Sequence, residues 1–205
     1  MITLIDYGVG NIFAFQNVYK RLNIPTKIAK RKEDLANAEK LILPGVGSFD
    51  YAMAQLNASG MREKLDELVL EKKVPVIGIC VGMQMMGNRS DEGKLEGLKW
   101  IDSEILKFDE SLIQQRTKLP HMGWNDVDPI NNHPLFIGLE KEAIFYFLHS
   151  FYFKCKNELE SIAISNYGIS FSSAVHRENI YGIQFHPEKS HQYGEKLLHN
   201  FANIK

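Results

Sequence analysis

Apolar and polar positions alternate along the first ninety residues in a way that predicts strands and helices in turn. Short apolar runs at residues 2–5, 26–29, 40–43 and 74–79 have the length and the β-branched content of buried strands. Segments with helical apolar spacing lie between them, at residues 12–22, 35–39, 51–56 and 61–73. This alternation predicts an α/β fold with a mostly parallel central sheet flanked by helices.

The pattern changes after residue 88. Six β-like runs separated by polar turns follow, at residues 100–108, 125–127, 144–153, 161–165, 171–175 and 180–185. A helix at residues 195–202 closes the chain, with Leu197, Leu198 and Phe201 on one face. We therefore expect a β-rich second half. Because no repeat or linker-like segment interrupts the 205 residues, we also expect a single domain.

The charge balance and composition of the chain argue against some classes of binding partner. The 24 Lys and Arg residues nearly balance the 25 Asp and Glu residues, so no basic footprint for nucleic acid or an anionic membrane is expected. The first residues lack the pattern of a signal peptide, and no segment approaches 18 consecutive apolar residues. We expect a cytoplasmic protein whose partners are small molecules or another protein.

The candidate chemistry centres on Cys80, where the apolar run at residues 74–79 gives way to a helix predicted for residues 81–86. Gly78 and Gly82 flank this cysteine, and glycine lets neighbouring backbone approach a strained turn closely. Such a turn places the thiol at a helix N-terminus, where exposed N–H groups favour a thiolate and can hold an oxyanion. The alternative is a small hydrophobic residue buried in a core strand.

A second constellation lies near the end of the chain, where His186, Pro187 and Glu188 follow the last β-like run. Proline keeps the residue before it extended and fixes its own φ, so the two flanking side chains can be aimed reproducibly. A cysteine nucleophile needs a base, and the base needs a carboxylate to fix its tautomer. The alternative is a histidine at a strand end and a solvated acid in a turn.

Glycine-rich turns follow two of the predicted strands. In the first turn, Gly8 and Gly10 suggest a dinucleotide fingerprint, but the third glycine would fall at Phe13, which argues against it. The second turn, residues 44–50, lies with Cys80 at the carboxyl edge of the predicted sheet, where ligands collect. His186 and His191 are five residues apart and no H-E-x-x-H pattern occurs, so no metal site is expected.

Together these motifs resemble the class I, triad-type glutamine amidotransferases, and more narrowly the glutaminase subunits of imidazole glycerol phosphate synthases. The blocks that carry the resemblance span nearly the whole chain: residues 6–11 (DYGVGN), 44–47 (PGVG), 120–125 (PHMGWN), 145–150 (FYFLHS) and 184–190 (QFHPEKS). The chain departs from the narrower pattern at Val81, where leucine is usual, and at Lys99, where relatives tend to have glycine.

The resemblance implies roles for individual residues. Cys80 would be the nucleophile, His186 the general base and acid, and Glu188 the carboxylate that orients the histidine. The backbone amides of Val81 and of the Val46–Gly47 turn would hold the oxyanion. The amino acid L-glutamine would be held by residues that match positions in related subunits: Gly47, Gln84, Glu92, His149, Ser150 and Phe151. No cofactor is implied.

The resemblance also implies a partner, a cyclase or synthase subunit shaped as a TIM barrel, which receives ammonia through a tunnel. Four positions match residues that face this partner in the family: Asn11, Trp124, Tyr146 and Lys189. Their structural alternatives are a helix N-cap for Asn11, core aromatic residues at 124 and 146, and a solvated lysine.

Three rival functions stay open at this level. Lys99, Phe147-Leu148 and Ser190-His191 also resemble a paralogous branch that feeds ammonia to enzymes amidating sugars of bacterial surface glycans. A catalytically silent binding protein could keep the same fold. A free-standing peptidase or hydrolase would not need the sequence blocks around Trp124 and Lys189.

Overall fold

The first half of the chain forms parallel strands with helical connections, in a computed structural model that describes residues 1–204. Four strands lie side by side in the order β2-β1-β3-β4, and every pairing among them is parallel. Strands β1, β3 and β4 are buried throughout, as expected for strands covered on both faces. The elements are β1 (Ile2–Ile5), α1 (Ile12–Arg21), β2 (Thr26–Ala29), β3 (Leu41–Gly45), α2 (Phe49–Ala58), α3 (Arg62–Asp66), β4 (Val76–Cys80) and α4 (Val81–Met85).

The second half is β-rich, as predicted. Its elements are β5 (Arg89–Ser90), β6 (Ser103–Lys107), β7 (His121–Asp126), β8 (Asp128–Pro129), β9 (Ile144–His149), β10 (Phe151–Cys155), β11 (Ser161–Tyr167), β12 (Ile169–Arg177), β13 (Ile180–Ile183) and α5 (His191–Asn203). Strand β13 pairs parallel with β4, and the sheet extends beyond it through the antiparallel strands β12, β10 and β6 to β5, which pairs parallel with β6. Within residues 1–204 this sheet has eleven strands, and β7 and β9 form a separate two-stranded ribbon.

The predicted α/β class is confirmed by this architecture. The central ladder β2-β1-β3-β4-β13 is parallel throughout, and α1 to α5 connect or follow its strands. The buried side chains form one continuous hydrophobic cluster that extends from Ile2 in the first strand to Phe201 in the last helix. In the described part of the chain, no helix is both long and apolar enough to span a bilayer.

Two predicted helices differ from the structure. The helix predicted at residues 35–39 is absent. A single 3-10 turn at Lys32–Leu35 ends at the first of these residues and is closed by Asp34, whose carboxylate accepts from the N–H groups of Lys30 and Arg31 at 3.0 and 3.1 Å. The helix predicted at residues 61–73 is regular only in α3 and continues as a π-helical segment, Glu67–Glu71.

The apolar run predicted as one strand at residues 144–153 is two strands. Strand β9 belongs to the two-stranded ribbon and β10 to the large sheet, so the chain changes sheets at Ser150. Here the carbonyl of Phe151 turns toward side chains, and it accepts hydrogen bonds from His149 and Gln84. Continuous hydrophobicity predicted an extended backbone correctly, but it carries no information on the change of partner strand.

Close backbone packing explains the glycines around Cys80. A Cβ atom at Gly82 would lie 2.0 Å from the carbonyl oxygen of Leu43 in β3, and one at Gly78 would lie 2.6 Å from the carbonyl oxygen of Gly82. Helix α4 therefore rests directly on the backbone of β3. The sequence-based expectation that both glycines permit close approach is confirmed.

We expect Gly82→Ala to lower the free energy of unfolding by about 3 kcal/mol, because the new methyl group collides with backbone that cannot yield. Gly60→Ala is the matched control. Its Cβ would meet nothing within 4 Å among residues 1–204, so it carries only the cost of a φ of +69°, about 1–2 kcal/mol. Urea denaturation measures both variants. Equal losses would contradict the role given to Gly82.

Candidate active site

Cys80 occupies the end of β4 in a strained conformation. Its φ is 55° and its ψ is −114°, and helix α4 begins at the next residue. A side chain held in this region costs about 1–3 kcal/mol, and such strain is concentrated at active sites. The parallel pairing aligns Gly45 of β3 with Cys80 and Ile183 of β13 with Ile79. The carboxyl ends of the three strands therefore meet around the thiol.

His186 reaches the same edge because it lies just beyond the end of β13. Its backbone N–H donates to the carbonyl of Tyr146 in β9 at 2.8 Å, and the 3-10 turn Pro187–Lys189 folds back behind it. This turn brings Glu188 Oε1 to 2.9 Å from His186 Nδ1, and each of these two side chains is only 4% exposed. Cys80 and His186 line the same cavity, and the negative charge of the Cys80 sulfur favours the protonated form of the imidazole. The three predicted catalytic residues thus lie together.

The electrostatics of His186 depend on its two neighbours. Burial alone lowers its pKa, but the interactions with Cys80 and Glu188 and the negative charge of both groups outweigh burial, and the pKa is raised above the ordinary value. This arrangement therefore favours an imidazolium at His186, the form that can donate a proton.

The predicted catalytic residues Cys80 and His186 face a cavity of about 300 Å³, a volume suited to a small metabolite. Cys80 and His186 form part of its wall, with Pro120, Leu148 and Lys189. Every residue predicted for oxyanion or substrate binding also lines this cavity: Val46, Gly47, Val81, Gln84, Glu92, His149, Ser150 and Phe151.

Two polar side chains that line the cavity, Glu92 and Gln84, each have an acceptor oxygen that is not used by the hydrogen bonds described next. Glu92 uses one carboxylate oxygen, Oε2, to accept from the N–H of Phe49 at 2.8 Å, which fixes the side chain. Gln84 turns its amide nitrogen toward protein acceptors, the carbonyl of Phe151 at 3.3 Å and Gln184 Oε1 at 3.0 Å. Oε1 of both side chains can therefore accept from an ammonium group in the cavity.

A row of buried histidines supports the wall. Asn125 Nδ2 can only donate, so His121 Nε2 accepts from it at 3.2 Å, and His121 Nδ1 donates to His149 Nε2 at 2.9 Å. His149 Nδ1 then donates to the carbonyl of Phe151 at 2.7 Å. Burial lowers the pKa of His121 to about 4 and that of His149 to about 3, so both rings are neutral at physiological pH.

The four residues predicted to face a partner are exposed or partly exposed, and Lys189 also lines the cavity. Trp124 is 45% exposed on β7 and directly opposite Tyr146 on β9, so the core alternative for Trp124 is wrong. Lys189 lies over the ring of Tyr146, with its ammonium 5.4 Å from the ring centroid. Asn11 is an exposed N-cap of α1, and its side chain accepts from the N–H of Ala14.

Sequence reasoning assigned no role to three further residues of the site. Tyr7 donates its hydroxyl to the carbonyl of Pro44 at 2.6 Å and so anchors the turn that contains Val46. Gln184 lies 3.7 Å from the Cys80 sulfur, and His121 supports His149. All three are polar residues within or beside apolar runs, the one signal in the sequence that could have indicated them.

Comparison with known proteins supports the class that this fold and site define. The family profile described as "Glutamine amidotransferase class-I" matches residues 3–204, and the chain belongs to this family. It is 57% identical over 204 residues to "Imidazole glycerol phosphate synthase subunit HisH" of Bdellovibrio bacteriovorus, and 48% identical to the protein of the same name from Leptospira interrogans. Each alignment covers 100% of both chains.

Solved structures add a likeness of fold. The "Structure of PurLQS from Thermotoga maritima" contains a chain that superposes with a TM-score of 0.74 at 15% identity, covering 98% of this chain and 97% of the other. At this level of identity the likeness concerns the fold alone.

The neutral histidines predict an acid-sensitive stability. Because the pKa of His121 is lowered in the folded chain, the unfolded chain binds more protons below the ordinary value, and stability falls as the pH drops from about 6.5 toward about 4. Between about pH 7.5 and about pH 5.5, His121 should account for a loss of about 1.4 kcal/mol. Urea denaturation of His121→Gln should show a correspondingly smaller loss than the original chain.

The exposed His199 on α5 provides the control for this experiment. His199→Gln should leave the pH dependence of the free energy of unfolding unchanged. The same pH dependence in His121→Gln as in the original chain would contradict the buried neutral state of His121.

Proposed function

We propose that this chain is the glutaminase subunit of an imidazole glycerol phosphate synthase, which acts in histidine biosynthesis. It would hydrolyse L-glutamine to L-glutamate and ammonia with Cys80, His186 and Glu188, and a synthase subunit would receive the ammonia. One observation carries the assignment of the catalytic groups: Cys80 and His186 line the same small cavity, and the His186 imidazole is hydrogen-bonded to the Glu188 carboxylate. Full-length similarity to HisH subunits supports the pathway.

In the first half of the reaction, the Cys80 thiolate attacks the side-chain amide carbon of glutamine. The carbonyl π electrons move to oxygen, and this oxyanion is held by the N–H of Val81 at the start of α4 and by an amide of the Val46–Gly47 turn. His186 gives its proton to the amide nitrogen as the tetrahedral intermediate collapses. Ammonia leaves, and a thioester between Cys80 and the glutamyl group remains.

In the second half, neutral His186 accepts a proton from water while the hydroxide equivalent attacks the thioester carbon. Collapse of this second tetrahedral intermediate breaks the carbon–sulfur bond and returns a thiolate and an imidazolium. Glu188 keeps His186 Nδ1 protonated throughout, so that Nε2 is the atom that exchanges protons with the substrate. The sum is glutamine and water converted to glutamate and ammonia.

The amino-acid end of glutamine would be recognised by other residues that line the cavity. Glu92 and Gln84 present oxygens that suit the α-ammonium group, and neither can rotate freely because each is bonded to the backbone of Phe49 or Phe151. His149, Ser150 and Phe151 form the adjacent wall, where the chain changes sheets. A backbone turn of this kind can donate N–H groups to the α-carboxylate.

A partner is required because free ammonia is mostly protonated at neutral pH and is then not a nucleophile. We propose that a TIM-barrel cyclase subunit docks over the ribbon face, defined here as the surface formed by Trp124, Tyr146 and Lys189 together with Asn11 on α1. Exposed aromatic and basic side chains beside the cavity fit an interface better than a solvated surface. Docking there would close the route by which ammonia reaches water.

A cytoplasmic location fits the same proposal. Both cysteines, Cys80 and Cys155, are unpaired in the structure, and a nucleophilic thiol needs a reducing compartment to stay reduced.

Replacement of Cys80 tests the assignment of the nucleophile. In the complex of the chain with its synthase subunit, Cys80→Ala should abolish glutamine-dependent product formation, because no thiolate is left to attack the amide. Ammonium-dependent formation of the same product should persist, because that reaction belongs to the partner. Glutamate release and product formation are measured in parallel.

Cys155→Ala is the matched control, since Cys155 is the other buried thiol and lies in β10, outside the cavity lining. It should retain glutaminase activity. Glutamine-dependent turnover in Cys80→Ala would show that another group is the nucleophile. Purified synthase subunits of the histidine pathway and of sugar amidation can be compared in the same assay, and the one whose ligand raises glutaminase turnover identifies the acceptor.

The ribbon face yields a separate prediction for binding of the synthase subunit. Trp124→Ala should weaken association about 30-fold, or about 2 kcal/mol, as expected when a central aromatic contact is lost. Leu159 is 88% exposed on the 3-10 turn Glu158–Glu160, so Leu159→Ala is a control that removes an exposed apolar side chain from a different surface. Calorimetric titration measures both. Similar affinities for the two variants would place the interface elsewhere.

A further inference from the structure

Gln184 is a buried amide directly beside the nucleophile. It follows β13, its side chain is 0% exposed, and it lies two residues before His186. One end of its amide is 3.7 Å from the Cys80 sulfur, within hydrogen-bonding distance for a sulfur acceptor, and the other end is 3.0 Å from Gln84 Nε2. A fully buried polar group in this position requires partners for both ends.

The direction of these hydrogen bonds follows from a fixed acceptor. The backbone carbonyl of Phe151 can only accept, so the atom of Gln84 that faces it must be the amide nitrogen. The same nitrogen faces Gln184, so the atom of Gln184 on that side must be the oxygen. The opposite atom, which faces Cys80, is therefore the nitrogen, and it donates to the sulfur.

We propose that Gln184 is a positioning residue that donates an amide N–H to the Cys80 sulfur and thereby stabilises the thiolate. This inference rests on the proposed function, because it takes Cys80 as the nucleophile. Its role is distinct from that of the His186–Glu188 pair, because the amide never gives up its proton.

Among residues 1–204, none of the other groups near the Cys80 sulfur can donate a hydrogen bond to a thiolate throughout the proposed reaction. His186 donates to the thiolate only while it is protonated, and it loses this proton to the leaving amine. The carbonyl of Leu148, 3.8 Å away, accepts from a thiol but opposes a thiolate. Tyr7, whose pKa is raised first by burial and then by the negative charge of Cys80, already donates its hydroxyl to Pro44. Gln184 is thus a donor that stays in place at every step.

The thioester step benefits in the same way. When the second tetrahedral intermediate collapses, the carbon–sulfur bond breaks and its electron pair stays on sulfur. A donor already aimed at the sulfur stabilises this developing charge without reorganisation. Gln184 is held in place by Gln84, whose amide nitrogen donates both to Gln184 Oε1 and to the carbonyl of Phe151. The carbonyl of Phe151 is in turn fixed by a hydrogen bond from His149.

The test measures the reactivity of Cys80 directly, in the complete chain and without glutamine. Alkylation by iodoacetamide is followed against pH, with mass spectrometry separating Cys80 from Cys155. Gln184→Met keeps the length of the side chain and removes the donor. We expect the midpoint of the alkylation profile to rise by about one pH unit, a tenfold change in the ionisation equilibrium, as a hydrogen bond to a charged group is lost.

Steady-state kinetics of the complex with the synthase subunit give the second readout. Gln184→Met should lower kcat for glutamine about tenfold with KM changed by less than about twofold, because Gln184 does not line the cavity. Gln184→Glu keeps the oxygen that faces Gln84 and replaces the donor to sulfur by a carboxylate oxygen. It should shift the alkylation midpoint further in the same direction, and it provides the readout if the methionine variant does not fold.

Ser173→Ala is the matched control. Ser173 is fully buried on β12, its carbonyl accepts from the backbone N–H of Gln184, and its hydroxyl has no hydrogen-bond partner among residues 1–204. It should leave the alkylation profile unchanged. A folded Gln184 variant with an unchanged profile would overturn the proposal. Because alkylation needs no glutamine, this outcome is distinguishable from failure of the proposed function, which would appear as glutamine turnover in Cys80→Ala.

Discussion

The parallel pairing of β4 with β13 is the constraint on which the site depends. The two strands are about a hundred residues apart in sequence, yet their register places Ile183 beside Ile79, one residue before Cys80. Both strands are fully buried, and a slip of one residue would exchange every side chain between the two packed faces of the sheet, so it is strongly disfavoured. Packing of the sheet therefore sets the distance between Cys80 and His186.

Short segments after β4 and β13 are then enough to bring Cys80, His186 and Glu188 together at this edge of the sheet. Cys80 is the last residue of one strand, and His186 follows the other by three residues, with a proline turn returning Glu188 to the imidazole. The β7–β9 ribbon attaches to the same segment, because the N–H of His186 donates to Tyr146 and the hydroxyl of Ser190 accepts from the N–H of Tyr146. The ribbon that carries the exposed Trp124 is thus hydrogen-bonded to the backbone of His186.

Much of this arrangement could be predicted from the sequence, because it depends on local patterns. The apolar run before Cys80, the flanking glycines and the His-Pro-Glu turn each specify a local geometry that the structure confirms. Parts that depend on pairing between distant segments were not predictable. The run at residues 144–153 gives no sign of where it changes sheets, and the roles of Gln184 and His121 emerge only when Gln84 and His149 are brought beside them. Periodicity specifies which face is buried, whereas tertiary contacts decide which polar groups meet.

The left-handed backbone at Cys80 has a consequence for the evolution and engineering of this chain. A cysteine with a φ of 55° and a ψ of −114° pays a conformational penalty that glycine at the same position would not. Selection for thermal stability alone would favour glycine at position 80, so the cysteine found there lowers the stability of the folded chain. Substitutions meant to raise the stability of this chain should therefore be chosen far from residue 80, so that the strained turn at Cys80 is unchanged.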